Sequence, residues 1–327
     1  MNVVLLSGGS GKRLWPLSDD IRSKQFLKLF KNDAGQYESM VQRIYAQIKA
    51  VDADASVTIA TSKTQVPLIK EQLGEDVGIS IEPSRRDTFP AIALASLYLK
   101  DELKVDPEEV VVVCPVDPYV DIEYFKALKK LEDIAKTGES NLVLMGMEPT
   151  YPSEKYGYII PNSKEEISDV DTFKEKPDQE TAKKYLEMGA LWNGGVFAYK
   201  LGYMIAKTKE LLDVLDYKDL YDNYDNAKKI SFDYAVVENE PRIRVMRFNG
   251  RWDDLGTWGA MADALEEDHI GNVIADDHCS GTKVINETEV PVICMGLKDV
   301  VVIVGENGVL VTDKERSEYL KPVVERL

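Results

Sequence analysis

The chain of 327 residues is predicted to fold as an α/β protein with a large first domain and a small β-rich second domain. Three observations predict this architecture. Short apolar runs alternate with longer helical stretches over the first two-thirds of the chain, as in a mostly parallel sheet covered by helices. The alternation loosens after about Tyr156, and beyond Gly271 short β-rich runs are separated by turn residues. We expect the domains to span residues 1–268 and 269–327.

The strands of the large domain begin with residues 2–7, a continuous apolar run bounded by glycines. The same pattern predicts strands at residues 56–61, 77–82, 110–114 and 141–147. Helices are predicted between them at residues 39–50, 63–73, 89–103 and 121–136. Ligands of such sheets bind at the carboxyl ends of the strands, so the residues after each strand are the first candidates for function.

The later elements are predicted with the same criteria. Residues 156–161, 169–174 and 191–199 are expected to be strands, and residues 179–188 a helix. Helices follow through residues 231–238 and again from Thr257. The second domain is expected to hold strands at residues 283–285, 290–295, 300–304 and 309–311, and a charged terminal helix at residues 313–325.

The composition excludes several classes of protein. Asp and Glu total 57 against 40 Lys and Arg, which gives a net charge of −17. This charge repels phosphate backbones, so we expect no nucleic-acid partner. The hydrophobic fraction of 44% is too high for intrinsic disorder. The apolar run at the N-terminus is too short for a signal peptide or a membrane span, and we expect no membrane partner and a cytoplasmic location.

Cysteine and histidine chemistry is not indicated. Cys114, Cys279 and Cys294 are far apart and form no CxxC motif, so neither a zinc knuckle nor a disulfide framework is expected. His269 and His278 lie in no recognisable motif. Histidine-based acid–base catalysis is therefore not expected.

The strongest local signal is the glycine-rich segment that directly follows the first predicted strand. Glycines let backbone N–H groups approach phosphate oxygens, and two neighbouring cations add charge. The candidate phosphate contacts are Ser7, Gly8, Gly9, Gly11, Lys12 and Arg13. The segment is not a dinucleotide fingerprint, because Leu14 stands where that motif needs glycine or alanine. It is not a Walker A loop either, because Lys12 is followed by Arg13 and not by serine or threonine. An ordinary glycine turn is the alternative.

Several segments together resemble one enzyme family. GGSGKRLWPLS (residues 8–18) and KQFL (residues 24–27) are similar to the signature of sugar-1-phosphate nucleotidylyltransferases, in the form found in mannose-1-phosphate guanylyltransferases (GDP-mannose pyrophosphorylases). The resemblance continues in order along nearly the whole chain, through EPSRRDTFPAI (82–92), YGYI (156–159), FKEKP (173–177), WNGG (192–195), SFDYA (231–235) and WDDLGTW (252–258).

This resemblance implies a Rossmann-like nucleotidyltransferase domain followed by a small domain like a partial β-helix. It implies the reaction of GTP with α-D-mannose 1-phosphate, which gives GDP-mannose and pyrophosphate with the help of Mg²⁺. The β-rich region of this family is used in subunit packing, so a homodimer is a hypothesis. Such chemistry needs cations beside the phosphates and carboxylates for the metal, because the protein mainly aligns two anions.

The resemblance also assigns roles to individual residues. Arg13 and Lys24 are expected to bind the triphosphate, and Lys176 the sugar phosphate. The nucleotide is expected to contact Glu82, Arg86, Asp87, Thr88 and Pro90. The sugar is expected to contact Gly157, Glu175, Asn193 and Asp233, with Gly157 acting through its backbone.

Asp117 and Asp254 are the candidate metal ligands. Asp117 follows the predicted strand at residues 110–114, and hard oxygen ligands from two distant segments suit Mg²⁺. Asp253 competes with Asp254, which matches the spacing of the family motif. For each aspartate, a turn or helix-cap role is the alternative.

The chain departs from the family pattern in three places. Pro118 stands where the family usually has histidine, and Gly194 where it usually has serine. Asp87 and Phe89 replace the more usual asparagine and alanine in the base-reading segment. An ionised aspartate accepts from guanine N1–H and N2–H₂ but cannot donate to O6.

These departures leave other functions open. The same chemistry with another nucleoside triphosphate, or with glucose or heptose 1-phosphate, is one alternative. A catalytically silent relative that binds nucleotide sugars is another, because fold alone does not fix activity. A dinucleotide-dependent oxidoreductase is disfavoured by the broken glycine fingerprint.

Overall fold

The computed structural model describes residues 1–9 and 12–327. Its strands are β1 (Asn2–Ser7), β2 (Lys28–Lys31), β3 (Tyr37–Ser39), β4 (Ser56–Ser62), β5 (Gly78–Glu82), β6 (Val110–Pro115), β7 (Pro118–Val120), β8 (Leu142–Met147), β9 (Tyr158–Pro161), β10 (Ile167–Lys174), β11 (Leu191–Lys200), β12 (Ile243–Phe248), β13 (Trp252–Asp254), β14 (His269–Ile270), β15 (Val273–Ala275), β16 (Lys283–Asn286), β17 (Val292–Cys294), β18 (Val300–Gly305) and β19 (Gly308–Asp313).

Its α-helices are α1 (Met40–Val51), α2 (Val66–Leu73), α3 (Thr88–Asp101), α4 (Ile122–Lys136), α5 (Gln179–Glu187), α6 (Leu201–Leu212), α7 (Tyr217–Asp222), α8 (Phe232–Ala235), α9 (Trp258–Ala264) and α10 (Leu320–Val324). Short 3-10 helices lie at Lys12–Leu14, Lys24–Phe26, Lys63–Gln65, Tyr224–Asn226, Val237–Asn239 and Glu315–Tyr319. Over the described residues, no helix is long and apolar enough to cross a lipid bilayer.

The described residues separate into two compact units, each assembled from several stretches of chain. The first unit contains Met1–Gly8, Tyr45–Val116 and Val120–Trp252. The second contains Gly9–Ile44, Asp117–Tyr119 and Asp253–Leu327. The predicted division into residues 1–268 and 269–327 follows the change in sequence character, and it stays a prediction.

The first unit is built around a nine-stranded sheet, counted over the described residues, in the order β5-β4-β1-β6-β11-β8-β12-β10-β9. The neighbours β5, β4, β1 and β6 pair in parallel, as do β8 and β12. Strand β11 pairs antiparallel with β6 and β8, and β10 antiparallel with β12 and β9. The predicted α/β class is confirmed, with β10 and β11 running against the other strands.

The sequence explains the core of this unit. Residues 110–114 of β6 are all buried, as expected of a strand covered on both faces. Helix α3 is apolar on nearly all sides, and ten of its residues are buried. Asp121 caps α4, and its carboxylate accepts a hydrogen bond from the Glu123 N–H. The predicted strands and helices up to residue 200 are found within a few residues of their expected bounds.

The second unit carries the β-rich region. Strands β14, β16, β18 and β19 form one sheet, and β15 pairs in parallel with β17. The predicted terminal helix at residues 313–325 is wrong in its first half. Asp313 still belongs to β19, Glu315–Tyr319 is a 3-10 helix, and only Leu320–Val324 is α-helical. The Asp313 carboxylate accepts from the N–H groups of Glu315 and Arg316, which turns the chain there.

Candidate active site

The loop after β1 was the strongest candidate in the sequence. Ser7 is buried, and its carbonyl oxygen accepts a hydrogen bond from the Thr61 hydroxyl at 3.3 Å. Gly8 and Gly9 are exposed, and a side chain at Gly9 would meet no heavy atom within 4 Å. Gly11 and the side chain of Lys12 lie outside the described residues. Phosphate binding by this loop therefore stays a prediction.

Glu82 stands at the carboxyl end of β5 with a buried carboxylate. Its Oε2 atom accepts a hydrogen bond from the Tyr224 hydroxyl at 2.9 Å. Burial raises the pKa of Glu82 to about 7, although the Tyr224 hydrogen bond and the Arg85 charge oppose that rise. The neighbouring Asp87 charge adds to the increase. This carboxyl group consequently changes charge close to neutral pH.

Arg86 is held by an aspartate that the sequence motifs did not identify. Its Nη2 atom donates to Asp225 Oδ1 at 3.0 Å, and the Ser84 hydroxyl donates to the same oxygen at 2.6 Å. The Ser84 hydroxyl and the Arg86 guanidinium hold the pKa of Asp225 below its ordinary value. These contacts hold Arg86 in a defined position in the loop between Glu82 and the start of α3.

Asp87, Thr88 and Pro90 form the beginning of α3. Asp87 has a φ of +70°, and its carboxylate accepts from the Thr88 N–H at 2.8 Å. The Thr88 hydroxyl accepts from the Phe232 N–H at 2.8 Å, while Pro90 is buried. Aspartate and asparagine both tolerate a positive φ and both cap helices well. The departure at position 87 therefore preserves the local backbone.

A carboxylate–lysine cluster, defined as Arg13, Lys24, Asp117 and Asp254, brings together the predicted metal ligands and triphosphate contacts. The Lys24 ammonium lies 2.7 Å from Asp117 Oδ2 and 3.7 Å from Asp254 Oδ1. A Cβ atom at Gly256 would lie 3.1 Å from Arg13 Nη1 and 3.2 Å from Asp254 Oδ1. The absence of a side chain at Gly256 thus leaves room for both the Arg13 guanidinium and the Asp254 carboxylate.

Both carboxylates of this cluster remain accessible to solvent. The side chain of Asp117 is 42% exposed and that of Asp254 is 41% exposed. Partial burial opposes ionisation of Asp117, but the Lys24 ammonium and the Arg13 guanidinium outweigh it and hold the pKa of Asp117 below its ordinary value. Asp117 is therefore charged at neutral pH and available as a ligand.

The donor set fits Mg²⁺. Two carboxylates that converge on one ammonium are arranged to stabilise a cation, and Mg²⁺ prefers one or two carboxylates together with phosphates and water. Asp117 and Asp254 would hold the ion. Among residues 1–9 and 12–327, no group of three or more Asp, Glu, His or Cys side chains could build a metal cage, so further ligands would come from substrate and water.

One cluster in the first unit contains all the predicted sugar contacts, and we call it the sugar-facing cluster after that prediction. Its residues are Gly157, Glu175, Lys176, Asn193 and Asp233. The Asn193 amide nitrogen donates to Asp233 Oδ1 at 2.6 Å, and its amide oxygen accepts from the Gly195 N–H at 3.1 Å. The Asn193 backbone N–H donates to the Gly157 carbonyl at 2.8 Å. These bonds fix the orientation of the Asn193 amide.

Gly157 has no room for a side chain. A Cβ atom there would lie 2.6 Å from Glu175 Oε2 and 2.9 Å from Phe173 Cζ. Glu175 itself is only 5% exposed. The absence of a side chain at Gly157 therefore allows the carboxylate of Glu175 to lie directly against the backbone.

Lys176 is the cation of the sugar-facing cluster. Its ammonium lies 2.5 Å from Glu175 Oε1, yet its side chain is 54% exposed and its φ is +43°. Burial disfavours the charged ammonium, but the Glu175 carboxylate outweighs it and raises the pKa of Lys176 above its ordinary value. A left-handed lysine is strained, and strain of this kind is found at functional sites.

Asp233 has the most perturbed carboxyl group of this cluster. Burial, followed by the charge of Glu175, raises the pKa of Asp233 to about 6. The hydrogen bond from Asn193 and the Lys176 charge reduce the increase. A carboxyl group whose pKa is strongly shifted by burial and by a charged neighbour is typical of binding and catalytic sites.

Comparison with known proteins fits this arrangement. Residues 2–270 match the model of the family described as "Nucleotidyl transferase". A mannose-1-phosphate guanylyltransferase of Klebsiella pneumoniae is 31% identical to the chain, over 99% of the chain and 73% of the relative. The chain belongs to the mannose-1-phosphate guanylyltransferase branch of the nucleotidyl transferase family.

Solved structures agree with this family assignment. A Thermus thermophilus protein named mannose-1-phosphate geranyltransferase has a TM-score of 0.81 and 28% identity, with 99% of this chain and 98% of that chain covered. A UDP-glucose pyrophosphorylase has a TM-score of 0.56 and 16% identity, with 79% of this chain and 94% of that chain covered, and it supports the fold alone.

Two departures from the family pattern are accommodated by neighbouring residues. A Cβ atom at Gly194 would overlap Met147 Cε and lie 3.1 Å from Met147 Cγ, so Met147 fills the space of the usual serine. Pro118 is buried in β7, and the next residue, Tyr119, stacks on Phe30 with a ring distance of 4.9 Å. This packing fixes the segment that follows Asp117.

Sequence reasoning missed Tyr224, Asp225 and Met147. Tyr224 and Asp225 lie between the recognised motifs, about 140 residues after the partners that they contact. Met147 lies within a uniformly apolar strand. No periodicity or spacing signal in a single sequence distinguishes such residues from their neighbours.

Proposed function

We propose that the chain transfers the nucleotidyl group of GTP to α-D-mannose 1-phosphate, giving GDP-mannose and pyrophosphate, with Mg²⁺ as the metal. The observation that carries the chemistry is the convergence of Lys24 on Asp117 and Asp254, with Arg13 beside them. The choice of GTP and mannose 1-phosphate is supported by the names of the relatives.

In this reaction an oxygen of the sugar phosphate attacks the α-phosphorus of GTP. The bond between that oxygen and the α-phosphorus forms as the bond to the bridging oxygen breaks, and pyrophosphate leaves with the electron pair. Arg13 and Lys24 would neutralise phosphate charge, which is the main requirement of phosphoryl-type transfer. Bound Mg²⁺, held by Asp117 and Asp254, would supply further charge neutralisation.

The sugar-facing cluster would bind mannose 1-phosphate. The exposed part of Lys176 suits the phosphate, because it leaves the ammonium free to move from Glu175 to a doubly charged anion. Glu175 and Asp233 would accept hydrogen bonds from sugar hydroxyls, and Asn193 would donate one. The Gly157 carbonyl already accepts from the Asn193 N–H, so its backbone contact with the sugar would use its N–H or the second lone pair of that carbonyl.

The nucleotide is proposed to bind the loop of Ser7, Gly8, Gly9, Gly11 and Lys12 through its phosphates. Its base would face Glu82, Arg86, Asp87, Thr88 and Pro90. The carboxylates at positions 82 and 87 match the N1–H and N2–H₂ donors of guanine. Asp87 cannot donate to O6, and this keeps another base as the specific alternative.

We also propose that the protein is a cytoplasmic homodimer. The β-rich region exposes large apolar side chains, with Ile274 60%, Ile293 66% and Met295 71% exposed. Exposed apolar patches commonly mark protein interfaces. Light scattering after size exclusion is expected to give twice the chain mass, and a mass of 36.7 kDa would contradict the dimer.

A substrate panel tests the proposed function. Pyrophosphate release is measured with Mg²⁺ and each of GTP, ATP, UTP, CTP and dTTP, paired with mannose, glucose or heptose 1-phosphate. Selective turnover of GTP with mannose 1-phosphate is expected. Turnover of another pair would support the same chemistry with a different substrate specificity. No pyrophosphate release with any pair, together with nucleotide-sugar binding measured by calorimetry, would support a catalytically silent relative.

A further inference from the structure

The two proposed metal ligands already share a cation that belongs to the protein. Lys24 Nζ lies 2.7 Å from Asp117 and 3.7 Å from Asp254, and the Lys24 side chain is only 20% exposed. Arg13 Nη1 and Asp254 Oδ1 both border the space that a side chain at Gly256 would fill. The carboxylate–lysine cluster thus contains two positive and two negative charges, and it is balanced without a metal ion.

This balance conflicts with tight binding of a metal ion to the substrate-free protein. Mg²⁺ binds carboxylate oxygens at about 2.0–2.1 Å and requires a nearly ideal octahedral shell. Asp117 holds the Lys24 ammonium at hydrogen-bond distance, and Asp254 holds it at the longer distance of an ion pair. An ammonium and a divalent cation repel each other strongly at such separations. Entry of the metal therefore requires the Lys24 ammonium to leave at least one carboxylate.

A nucleoside triphosphate provides the charge that can draw Lys24 away. Its phosphates carry several negative charges, and both Lys24 and Arg13 are long side chains whose cations can move to phosphate oxygens. The two carboxylates would then lose their counter-charge as the triphosphate brings in further negative charge. A divalent cation restores the balance, since it can ligate the carboxylates and the phosphates together.

We propose that Lys24 occupies the place of the divalent cation in the substrate-free protein, so that metal binds tightly only together with the nucleoside triphosphate. This inference rests on the proposed function, because it takes Asp117 and Asp254 as the metal ligands. It makes Lys24 a residue that couples metal binding to nucleotide binding, in addition to its contact with phosphate. The coupling is reciprocal, as linkage requires.

Mn²⁺ binding in the absence of nucleotide tests the proposal. Free Mn²⁺ is counted by electron paramagnetic resonance in titrations of the wild type, Lys24→Met and Lys24→Arg. Lys24→Met is expected to bind Mn²⁺ about tenfold more tightly or better than the wild type. The substitution removes the positive charge that competes with the metal for the two carboxylates. Lys24→Arg keeps the charge and is expected to bind Mn²⁺ as weakly as the wild type.

Two controls separate this site from general attraction to an acidic surface. Lys28→Met removes one charge from an exposed lysine four positions away and is expected to leave Mn²⁺ affinity unchanged. Adding Asp254→Asn to Lys24→Met is expected to abolish the gain. Thermal unfolding followed by circular dichroism checks that every variant is folded.

Equal Mn²⁺ affinity in the wild type and folded Lys24→Met would overturn the inference, and so would a gain that survives Asp254→Asn. The proposed function has a separate test, because wild-type pyrophosphate release does not depend on this result. If the wild type turns over GTP but Lys24→Met does not change Mn²⁺ binding, the proposed function stands and the inference is wrong.

Discussion

The carboxylate–lysine cluster and the sugar-facing cluster both combine carboxylates with cations, but they treat charge differently. In the first, Lys24 lies between two half-exposed carboxylates, and the charges balance. In the second, Glu175 is buried against Gly157, and Asp233 carries a raised pKa of about 6. In the sugar-facing cluster the charged form of Asp233 is therefore disfavoured, whereas Asp117 is stabilised in its charged form.

This difference matches the ligands proposed for each cluster. Neutral hydroxyl groups need acceptors that are already fixed and desolvated, because each such hydrogen bond is weak unless it is preorganised. Triphosphate and metal carry large charges and can displace ion pairs, so an exposed and balanced cluster suits them. On the proposed function, one cluster would recognise a sugar through fixed acceptors, and the other would recognise charged ligands by exchanging ion pairs.

The largest expected effect is loss of turnover on neutralising a metal ligand. Asp254→Asn should reduce kcat about 1,000-fold, because it weakens binding of the Mg²⁺ that would neutralise phosphate charge. Asp253→Asn is the matched control, since it removes the adjacent carboxylate, and it should reduce kcat far less. Pyrophosphate release and the thermal midpoint are measured for both. Near-normal turnover of Asp254→Asn would remove this residue from the metal site.

Lys176→Ala is expected to raise the KM for the sugar phosphate about 100-fold, as truncation of a charge partner typically does. The KM for the nucleotide should change little. Lys174→Ala is the control, because Lys174 is also half-exposed and lies two positions away. An equal rise in both KM values would show that the two clusters do not divide the substrates as proposed.

Gly194→Ser should destabilise the fold by about 1–3 kcal/mol, because its side chain would overlap Met147. Met147→Ala frees that space, so the double variant should be more stable than the sum of the two penalties predicts. Urea unfolding of the four proteins gives the coupling. Strictly additive stability penalties would show that Met147 does not compete for space with a side chain at position 194.

An effect of similar size is expected in the dependence of stability on pH that comes from Asp233. Because its folded pKa of about 6 lies above the unfolded value, the folded state binds the extra proton, and stability falls as pH rises from about 4 to about 6. Asp233→Asn removes this contribution. The wild type should lose about 1–3 kcal/mol relative to Asp233→Asn between pH 4 and pH 7, measured by urea unfolding. A constant difference would contradict the raised pKa.

Sequence alone predicted the parts of the fold that follow from local pattern. The buried strands β1 and β6 are continuous apolar runs, and α4 has a clear cap at Asp121. Strand β12 was missed because Ile243–Phe248 mixes apolar residues with two arginines, so it is neither a continuous apolar run nor a strict alternation. The terminal segment was misjudged because its charged composition is typical of helices while the Asp313 turn interrupts it.

The site was predictable where residues lie in motifs and unpredictable where contacts are long-range. The family resemblance predicted that Asp117 and Asp254 act together, and the structure brings both to Lys24. It could not predict that Tyr224 binds Glu82, because that pairing depends on how distant segments pack. It also could not predict the raised pKa of Asp233, because burial is a property of the fold.

The most direct test of the proposed reaction follows the phosphorus atoms of GTP. The wild type is incubated with Mg²⁺, mannose 1-phosphate and GTP labelled either in the α- or in the γ-phosphate. Transfer at the α-phosphorus predicts α-label in GDP-mannose and γ-label in pyrophosphate. Label released as inorganic phosphate with GDP, or no label in a sugar nucleotide, would contradict nucleotidyl transfer by this protein.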